Sequence, residues 1–294
     1  MITICKHINW CKNTLHALSL LLLSTIAHAK NPSHFDRIDS SLGIQSNYIN
    51  KLIQRNDGFI WMATAEGISR FDGYSFVNYS VDLNDPNSLP SAWADVMFED
   101  NQQRLWIGTD RGLARLTEDE QSFIVFKYDK TDEHSISGNI IQGISQDNQD
   151  RIWVSAGLSI NLYREQTNDF VRYSLPDITE QLAIDNAINF LKKADNFGFW
   201  VGSDLGLFYF DTRDKNFTKH SEVSQVGFSF YDLDTDSRGN LWLATRENGV
   251  IKYDPKTKKI QIFEADKDDP NSLVSNFAWR LLVDSNDQVW IGTS

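Results

Sequence analysis

The sequence predicts an all-β fold: a β-propeller of four-stranded blades, with five full blades and part of a sixth from an incomplete seven-bladed ring. One phrase recurs every 42 to 48 residues: a tryptophan, an apolar residue, a small residue, and then Thr, Ser or Ala. A fixed period of this length, carried by strand-forming residues, is typical of a propeller with one blade per repeat. The tryptophans of the phrase are Trp61, Trp106, Trp153, Trp200, Trp242 and Trp290.

Residues 1–29 have the pattern of an export signal that precedes the fold. Lys6 and Lys12 come before an apolar segment over residues 15–26, and residues 27–29 read Ala-His-Ala, a small-x-small cleavage pattern. The apolar segment is shorter than the roughly 20 residues that span a bilayer. We therefore predict a cleaved signal peptide and a periplasmic location, with an uncleaved anchor as the alternative.

Removal of the signal peptide changes the composition of the mature chain. Cys5 and Cys11 leave with it, so the mature chain cannot form a disulfide. The formal net charge, −12 for the full sequence, becomes more negative because two lysines are lost. Nucleic acids and anionic membrane surfaces attract clustered Lys and Arg, so the composition argues against both as partners.

The first repeat shows the predicted blade in full. Four short strands are predicted at residues 48–54, 59–64, 68–71 and 75–79, separated by Gly-, Asn- and Asp-containing turns. The later repeats follow the same order of strands and turns. In the third repeat Gly157 comes early, and we predict an altered second hairpin there.

The two ends of the predicted propeller differ from a full repeat. Residues 34–39, approximately, match an outer strand, which predicts an N-terminal strand that closes the ring by completing a final blade. The sequence reaches Ser294 directly after the second strand of the sixth repeat. We therefore expect residues 30–294 to be a partial propeller domain, and the chain to be a fragment or truncated product of a longer protein.

Eight of the tryptophans are assigned a place by the repeat. The six in the recurring phrase are predicted to pack between adjacent sheets, because a large ring at a fixed place in every blade fills that space. Trp93 and Trp279 stand outside the phrase, each after an Asp-Pro-Asn-Ser-Leu loop. For these two we favour core packing over an exposed contact role.

The segment Leu42-Gly-Ile-Gln-Ser-Asn through Asn56-Asp-Gly-Phe-Ile-Trp-Met-Ala-Thr to Asp72-Gly-Tyr-Ser-Phe resembles the two-component regulator propeller repeat. That repeat reads Gly-Leu, an Ile/Val strand, Gln-Asp-x-x-Gly-Phe-Ile-Trp-x-Gly-Thr, Gly-Leu and an Asp-Gly-x-x-Phe end. The resemblance extends over essentially the whole mature chain through the six tryptophan phrases.

The resemblance implies a periplasmic sensor region of a bacterial membrane signalling protein. Such regions often contain two seven-bladed propellers, followed by an Ig-like domain, one transmembrane helix and a cytoplasmic histidine kinase or GGDEF diguanylate cyclase. The expected partners are a small-molecule ligand, with oligosaccharides as the ligands of well-studied relatives, and downstream output domains or a homodimer partner. The sequence does not choose between the two output types.

No catalytic, cofactor-binding or metal-binding residue is assigned from the sequence, and the ligand-binding residues stay unknown. The mature histidines His34, His134 and His220 lie at unrelated outer-strand or connector positions, without metal-ligand spacing. The acidic loops at 82–88 and 266–272 have oxygen ligands that suit calcium. However, they also read as Asx-Pro turns between blades, and a similar third copy from Asp129 favours connectors.

Two functions remain open from the sequence. The first is a non-enzymatic, ligand-sensing propeller of a two-component or cyclic-di-GMP signalling protein. The second is a propeller enzyme, such as a lyase of the streptogramin or polysaccharide type. A lyase needs a His or Tyr base beside a carboxylate-binding group, and the positions of the three histidines argue against it.

Overall fold

The computed structural model of the chain describes residues 2–4, 37–176, 187–226 and 229–294. The described residues form five four-stranded antiparallel sheets and one three-stranded sheet. Each four-stranded sheet pairs consecutive strands, in chain order, and each sheet packs on the next. This is the all-β propeller that the repeat predicts, with five complete blades and a partial sixth.

The strands have the following bounds, blade by blade. Blade 1 contains β2 (Ile49–Gln54), β3 (Ile60–Thr64), β4 (Gly67–Phe71) and β5 (Phe76–Tyr79). Blade 2 contains β6 (Ala94–Glu99), β7 (Leu105–Thr109), β8 (Gly112–Leu116) and β9 (Phe123–Phe126). Blade 3 contains β10 (Ile141–Gln146), β11 (Ile152–Ala156), β12 (Ser159–Arg164) and β13 (Asp169–Ser174).

Blades 4 to 6 repeat this order. Blade 4 contains β14 (Ile188–Lys193), β15 (Gly198–Ser203), β16 (Gly206–Asp211) and β17 (Asn216–Lys219). Blade 5 contains β18 (Phe230–Thr235), β19 (Leu241–Thr245), β20 (Val250–Asp254) and β21 (Lys259–Phe263). Blade 6 contains β22 (Ala278–Val283), β23 (Val289–Thr293) and β1 (Ile2–Ile4). A 3-10 turn (Ser40–Leu42) and a helix α1 (Ser221–Ser224) lie between strands.

The tryptophans of the recurring phrase lie on the second strand of each blade and fill the space between sheets. Trp61, Trp106 and Trp153 are fully buried, at 0% exposure. Trp106, for example, packs with Ile141 and Phe170 of the following blade. Burial of a large aromatic side chain stabilises the fold by about 2–3 kcal/mol, so these contacts hold neighbouring sheets together. The tryptophans of blades 4, 5 and 6 are partly buried.

A carboxylate fixes four of these indoles from the turn between the first and second strands. The indole N–H of Trp106 donates to Asp100 at 2.8 Å, and blades 3, 5 and 6 repeat the bond at 2.8, 3.1 and 3.0 Å. Arg55 and Ala194 stand at the equivalent position in blades 1 and 4. In blade 1 the buried indole N–H of Trp61 consequently has no hydrogen-bond partner among the described residues.

The turn between the second and third strands is fixed by a hydroxyl. Thr64 donates to the carbonyl of Gly67 at 2.9 Å, and Thr109, Ser203 and Thr245 make the same bond in their blades. Gly67 has a φ of 128°, and a Cβ there would lie 2.3 Å from the carbonyl oxygen of Tyr79. Only glycine fits this position.

The predicted alteration of the second hairpin in blade 3 is wrong as to its strands. Ala156 pairs with Ser159 across a two-residue turn, as Thr64 pairs with Gly67 in blade 1. What differs is the position of the glycine: Gly157, at φ 58°, is the first turn residue, and Ala156 supplies no hydroxyl. The glycine moves within a hairpin of unchanged length.

The N-terminal closing strand differs from the prediction. Residues 37–39 form no strand, so the closing strand predicted at about 34–39 is not formed there, and 34–36 lie outside the described residues. The third strand of blade 6 is instead β1, antiparallel to β23. Residues 5–29 of the predicted signal peptide also lie outside the described residues. No helix in the described ranges is long and apolar enough to span a bilayer.

Candidate ligand-binding site

Every innermost strand contains a β-bulge near one end. In blade 1, Ile49 pairs with Thr64 and Lys51 with Ala63, which leaves Asn50 as an extra residue. The other five blades show the same shift at the same place. We call the extra residues the bulge ring: Asn50, Asp95, Gln142, Asn189, Tyr231 and Trp279. They lie at the upper face, which carries the connectors between blades.

The bulge ring places polar and aromatic side chains in strands that are otherwise largely apolar. A bulge bends its strand and re-aims a side chain, and bulges are over-represented next to functional sites. The six positions hold amides, a carboxylate, a phenol and an indole. Small-molecule sites combine aromatic surface with a few convergent polar groups, so this composition suits a polar organic ligand.

Blades 5 and 6 contribute an aromatic cluster to the upper face. The ring of Trp279 lies 5.2 Å from that of Tyr231 and 4.1 Å from that of Phe277, measured between centroids. Trp279 is 44% exposed. The prediction that Trp279 packs in the core is therefore wrong, because the bulge places its side chain outside the regular alternation of the strand.

A second aromatic pair lies on blades 1 and 2. The rings of Tyr48 and Trp93 are 5.6 Å apart, and the indole N–H of Trp93 donates to Asp95 at 2.6 Å. Trp93 is 39% exposed, so the core-packing prediction is wrong for this residue too. It precedes β6, and no neighbouring sheet covers it as the sheets cover Trp106.

Asp95 lies between groups of opposite charge. Burial raises its pKa, the bond from Trp93 acts against this, Asp110 raises the pKa further, and Arg280 lowers it. Asp110 belongs to the upper turn of blade 2, whereas Arg280 belongs to blade 6. Charged groups of blades 2 and 6 thus both act on this carboxyl.

Hydrogen bonds position the amides and the strands beneath them. The amide of Asn50 donates to the carbonyl of Ala94 at 2.8 Å, and that of Asn189 donates to Asp204 at 3.0 Å. Asp232, the residue directly after Tyr231, pairs with Lys192 of the neighbouring inner strand at 2.7 Å. Asp232 also accepts the backbone N–H of Leu281 at 3.0 Å, which joins the inner strands of blades 4, 5 and 6.

The acidic loops considered as calcium sites use their oxygen atoms internally. Asp82 accepts the N–H of Asn84, and Asp85 accepts that of Asn87, each at 2.9 Å, while Ser88 donates to the carbonyl of Asp82. The loops at 129–135 and 266–272 repeat these bonds. The three loops are therefore Asx-turn connectors. In the described ranges, no three His, Cys, Asp or Glu side chains form a metal-binding group.

Neither described histidine belongs to the bulge ring. His134 is exposed on a connector, beside Glu133 at 3.8 Å. His220 packs between Trp200 and Tyr253, and burial lowers its pKa. His34 lies outside the described residues. Tyr231 is the titratable aromatic of the bulge ring, and burial raises the pKa of that phenol, which disfavours a role as a base at neutral pH.

The family comparison agrees with the repeat. The model of the family described as "Two component regulator propeller" matches residues 88–111 and 272–294. Two segments of the chain therefore match the two component regulator propeller repeat. The resemblance stated from the sequence is thereby confirmed, and both matched segments include an upper-face tryptophan of these repeats. No curated protein matches the chain.

Solved structures support the fold of these repeats. The extracellular domain assigned to a hybrid two component system of B. thetaiotaomicron is similar, with a TM-score of 0.66, 22% identity and 88% of this chain covered. A second extracellular domain, assigned to a one component system of that organism, has a TM-score of 0.59 and 19% identity over 86% of this chain. This chain covers 40% and 38% of their lengths.

An enzyme shares the fold as well. Virginiamycin B lyase from Staphylococcus aureus has a TM-score of 0.59 and 14% identity, with 82% of this chain and 76% of the lyase covered. At such identities the likeness to all three structures shows the propeller fold alone. Sensor and enzyme functions both occur on it, so function must be argued from the site.

Proposed function

We propose that this chain is the extracytoplasmic, ligand-sensing propeller of a bacterial two-component or cyclic-di-GMP signalling protein. The bulge ring carries the proposal: six repeats share one backbone irregularity, and together they place five different types of polar or aromatic side chain at it. The family of the repeats supports a signalling role. The domain itself is a binding module and not an enzyme.

The ligand that best suits the bulge ring is a small oligosaccharide. The rings of Tyr231 and Trp279 offer flat apolar surface for the C–H faces of sugar rings, and the amides and Asp95 offer hydrogen-bond partners for hydroxyls. Both kinds of group lie on the same face. A neutral or weakly charged ligand is favoured because Asp95 and Arg280 offset one another.

Signalling requires that the ligand bind one arrangement of the protein better than another. Bonded sheets and buried tryptophans make each blade rigid, so the arrangement that changes is the pose of the propeller against downstream domains or a homodimer partner. A membrane-anchored output module, kinase or cyclase, would read that pose.

Export by the signal peptide places the domain in the periplasm. Cleavage after Ala29 also removes β1 from blade 6 and leaves a mature protein that begins at Lys30. N-terminal sequencing of the protein recovered from the periplasm tests this directly. Recovery of an intact N-terminus from the membrane fraction would instead support the uncleaved anchor.

A thermal-shift screen against oligosaccharides tests the sensing function. A ligand that binds the folded state raises Tm, by mass action, in proportion to the logarithm of its concentration. We expect Trp279→Ala and Asp95→Asn to abolish this rise. Tyr74→Ala is the matched control, since Tyr74 is an exposed aromatic on a turn at the lower face. Equal stabilisation of the wild type and both ring variants would place the site elsewhere.

The likeness to virginiamycin B lyase supports one alternative, a lyase. It predicts consumption of virginiamycin B by the purified protein, measured by mass spectrometry. His134 and His220 lie outside the bulge ring, and these positions argue against a lyase. Turnover that depends on either histidine would overturn the sensing proposal.

A further inference from the structure

A cavity lies at the lower face between blades 3 and 4, opposite the bulge ring. Its volume is about 580 Å³, and the turns of both blades line it. The lining side chains used below are Asp147, Asn148, Arg151, Phe197, Arg213 and Lys215. We call it the lower wedge. Three of these six side chains are cations, in a chain whose formal net charge is −12.

The same position in each blade decides the charge of such a wedge. The turns between the third and fourth strands of blades 2 to 5 each hold one residue with φ between 54° and 58°: Glu120, Asn168, Lys215 and Lys258. Glu120 contacts Arg55 and Arg70 of blade 1, and Lys215 lies over the Trp153 ring of blade 3. The residue type at this one position therefore determines what faces the wedge.

Between blades 1 and 2 this residue neutralises the wedge. Glu120 pairs with Arg55 at 2.8 Å and also with Arg70, while Glu99 pairs with Arg55 at 2.8 Å. Two cations thus meet two carboxylates. Between blades 2 and 3, Arg104 likewise pairs with both Asp100 and Glu165.

Between blades 3 and 4 the equivalent residue is a cation. The ammonium of Lys215 lies 4.8 Å from the centre of the Trp153 ring, and it makes no ion pair with a described carboxylate. Asp147 is already bonded to Arg151 and to the Trp153 indole, and Asp211 is bonded to Arg213. Burial lowers the pKa of Lys215 and Arg151 lowers it further, while Asp147 and Asp211 act in the opposite direction without reversing the shift.

The remaining surroundings of Lys215 do not restore the balance. Asp214 acts on Arg213 but is not among the carboxylates that act on Lys215. Lys193 adds a further positive charge at the edge of the lower wedge, where it donates to Asn148. The half-buried ammonium of Lys215 donates to the Thr212 carbonyl and faces a cavity whose nearby carboxylates, those of Asp147 and Asp211, are each already paired with an arginine. Such an arrangement suits an anion.

We propose that the lower wedge binds an oxyanion group, such as a sulfate, phosphate or carboxylate, between Lys215 and Arg213. The free N–H groups of these cations supply charge-assisted hydrogen bonds. Phe197, whose ring lies 4.3 Å from the Arg213 guanidinium, offers a flat face to an organic ligand that carries the anion. This site is separate from the bulge ring and does not depend on the sensing function.

Isothermal titration calorimetry with sodium sulfate, sodium phosphate and sodium glucuronate, at constant ionic strength in chloride, tests the proposal. We expect at least one of these probes to bind at millimolar or lower concentration. Lys215→Gln should weaken binding about tenfold, since one charge-assisted hydrogen bond is lost. Lys130→Gln, on an exposed connector, removes the same charge and should leave the affinity unchanged.

A charge reversal gives a second readout that does not depend on the choice of probe. Lys215→Glu installs the residue type that blade 2 has at this position, so it should raise Tm in oxyanion-free buffer and abolish binding. If no probe binds, or if Lys215→Gln and Lys215→Glu bind as the wild type does, the proposal is wrong.

Phe197→Ala separates the two sources of the anion. A loss of glucuronate affinity with unchanged sulfate affinity supports an organic ligand that packs on the ring. Equal affinities for both probes before and after the change support an inorganic oxyanion. If Phe197→Ala lowers Tm, Phe197→Leu replaces it, because leucine keeps apolar volume but lacks the aromatic face.

Discussion

The two ends of the innermost strands differ in how strictly they repeat. At the lower end, the turn aspartate and the tryptophan indole form the same bond in four of six blades, within 0.3 Å. At the upper end, all six blades share one bulge but present five different side-chain types at it. The backbone repeats at both ends, whereas the chemistry repeats only at the lower one.

This difference separates stability from recognition. Each blade must solve the same packing problem against its neighbour, so the residues that solve it recur with the blade period. A ligand that lies across several blades meets each of them at a different place, so its contacts need not recur. We therefore expect substitutions of the turn aspartates and buried tryptophans to reduce stability, and substitutions in the bulge ring to reduce binding.

The largest expected effect comes from the buried tryptophans. Trp106→Ala should reduce the free energy of unfolding by about 3–5 kcal/mol, because it leaves a large cavity between blades 2 and 3. Trp279→Ala should cost less than about 1 kcal/mol, since that ring is largely exposed. Chemical denaturation of both variants gives the comparison. Similar losses in the two variants would contradict the separation of the two ends.

The next largest effect concerns the aspartate of the lower end. Asp147→Ala should cost about 2–3 kcal/mol, because it leaves the Trp153 indole and the Arg151 guanidinium without their shared acceptor. Urea titration measures this loss. Gln142→Ala serves as the control, since Gln142 lies at the upper end of β10, the strand that Asp147 directly follows. This change should alter stability by about 0.5 kcal/mol or less.

The same aspartate predicts the pH dependence. Burial opposes ionisation of Asp147, but the bonds from Trp153 and Arg151 outweigh it, so its pKa is lowered. A lowered folded pKa gives stability that is present above the unfolded value of about 3.9 and is lost as pH falls through the folded value. The stability difference between wild type and Asp147→Asn should therefore be constant near neutral pH and shrink below about pH 4. A difference that grows on acidification would contradict the assignment.

A smaller effect is expected at the upper turn of blade 2. Thr109→Val removes the hydroxyl that donates to the Gly112 carbonyl at 2.7 Å and should cost about 1 kcal/mol. Ala156 occupies this place in blade 3, so the fold tolerates the loss. Ala156→Thr is the complementary change, and thermal unfolding of the pair shows whether the bond is additive across blades.

The strands and the buried core were predictable because the blade period makes each element visible several times. The tryptophan phrases lie on the second strand of every blade, and the four strands of blade 1 begin and end within one residue of the predicted bounds. The prediction for blade 3 was wrong because the turn glycine does not always occupy the same position of the hairpin. Gly157 is the first turn residue in blade 3, and Ser159 stands at the position that Gly67 has in blade 1.

The bulge ring escaped the sequence interpretation, although a signal for it exists. A regular strand that faces a core alternates with period two, but here the inward apolar residues are three apart, which requires one extra residue. The buried pairs are Ala94 and Met97, Ile141 and Ile144, Ile188 and Leu191, Phe230 and Leu233, and Ala278 and Leu281; blade 1 repeats the spacing with the exposed Ile49 and Leu52. The exposure of Trp279 depends on this irregularity, whereas Trp93 is exposed because it precedes β6.

Amide hydrogen exchange in the presence and absence of a stabilising oligosaccharide tests the central claim most directly. If the upper end recognises the ligand, protection should increase at residues 48–51, 93–96, 229–232 and 277–280 and stay unchanged at the lower turns 100–104 and 147–151. Protection confined to the lower turns, or spread evenly over all blades, would contradict the assignment of recognition to the bulge ring.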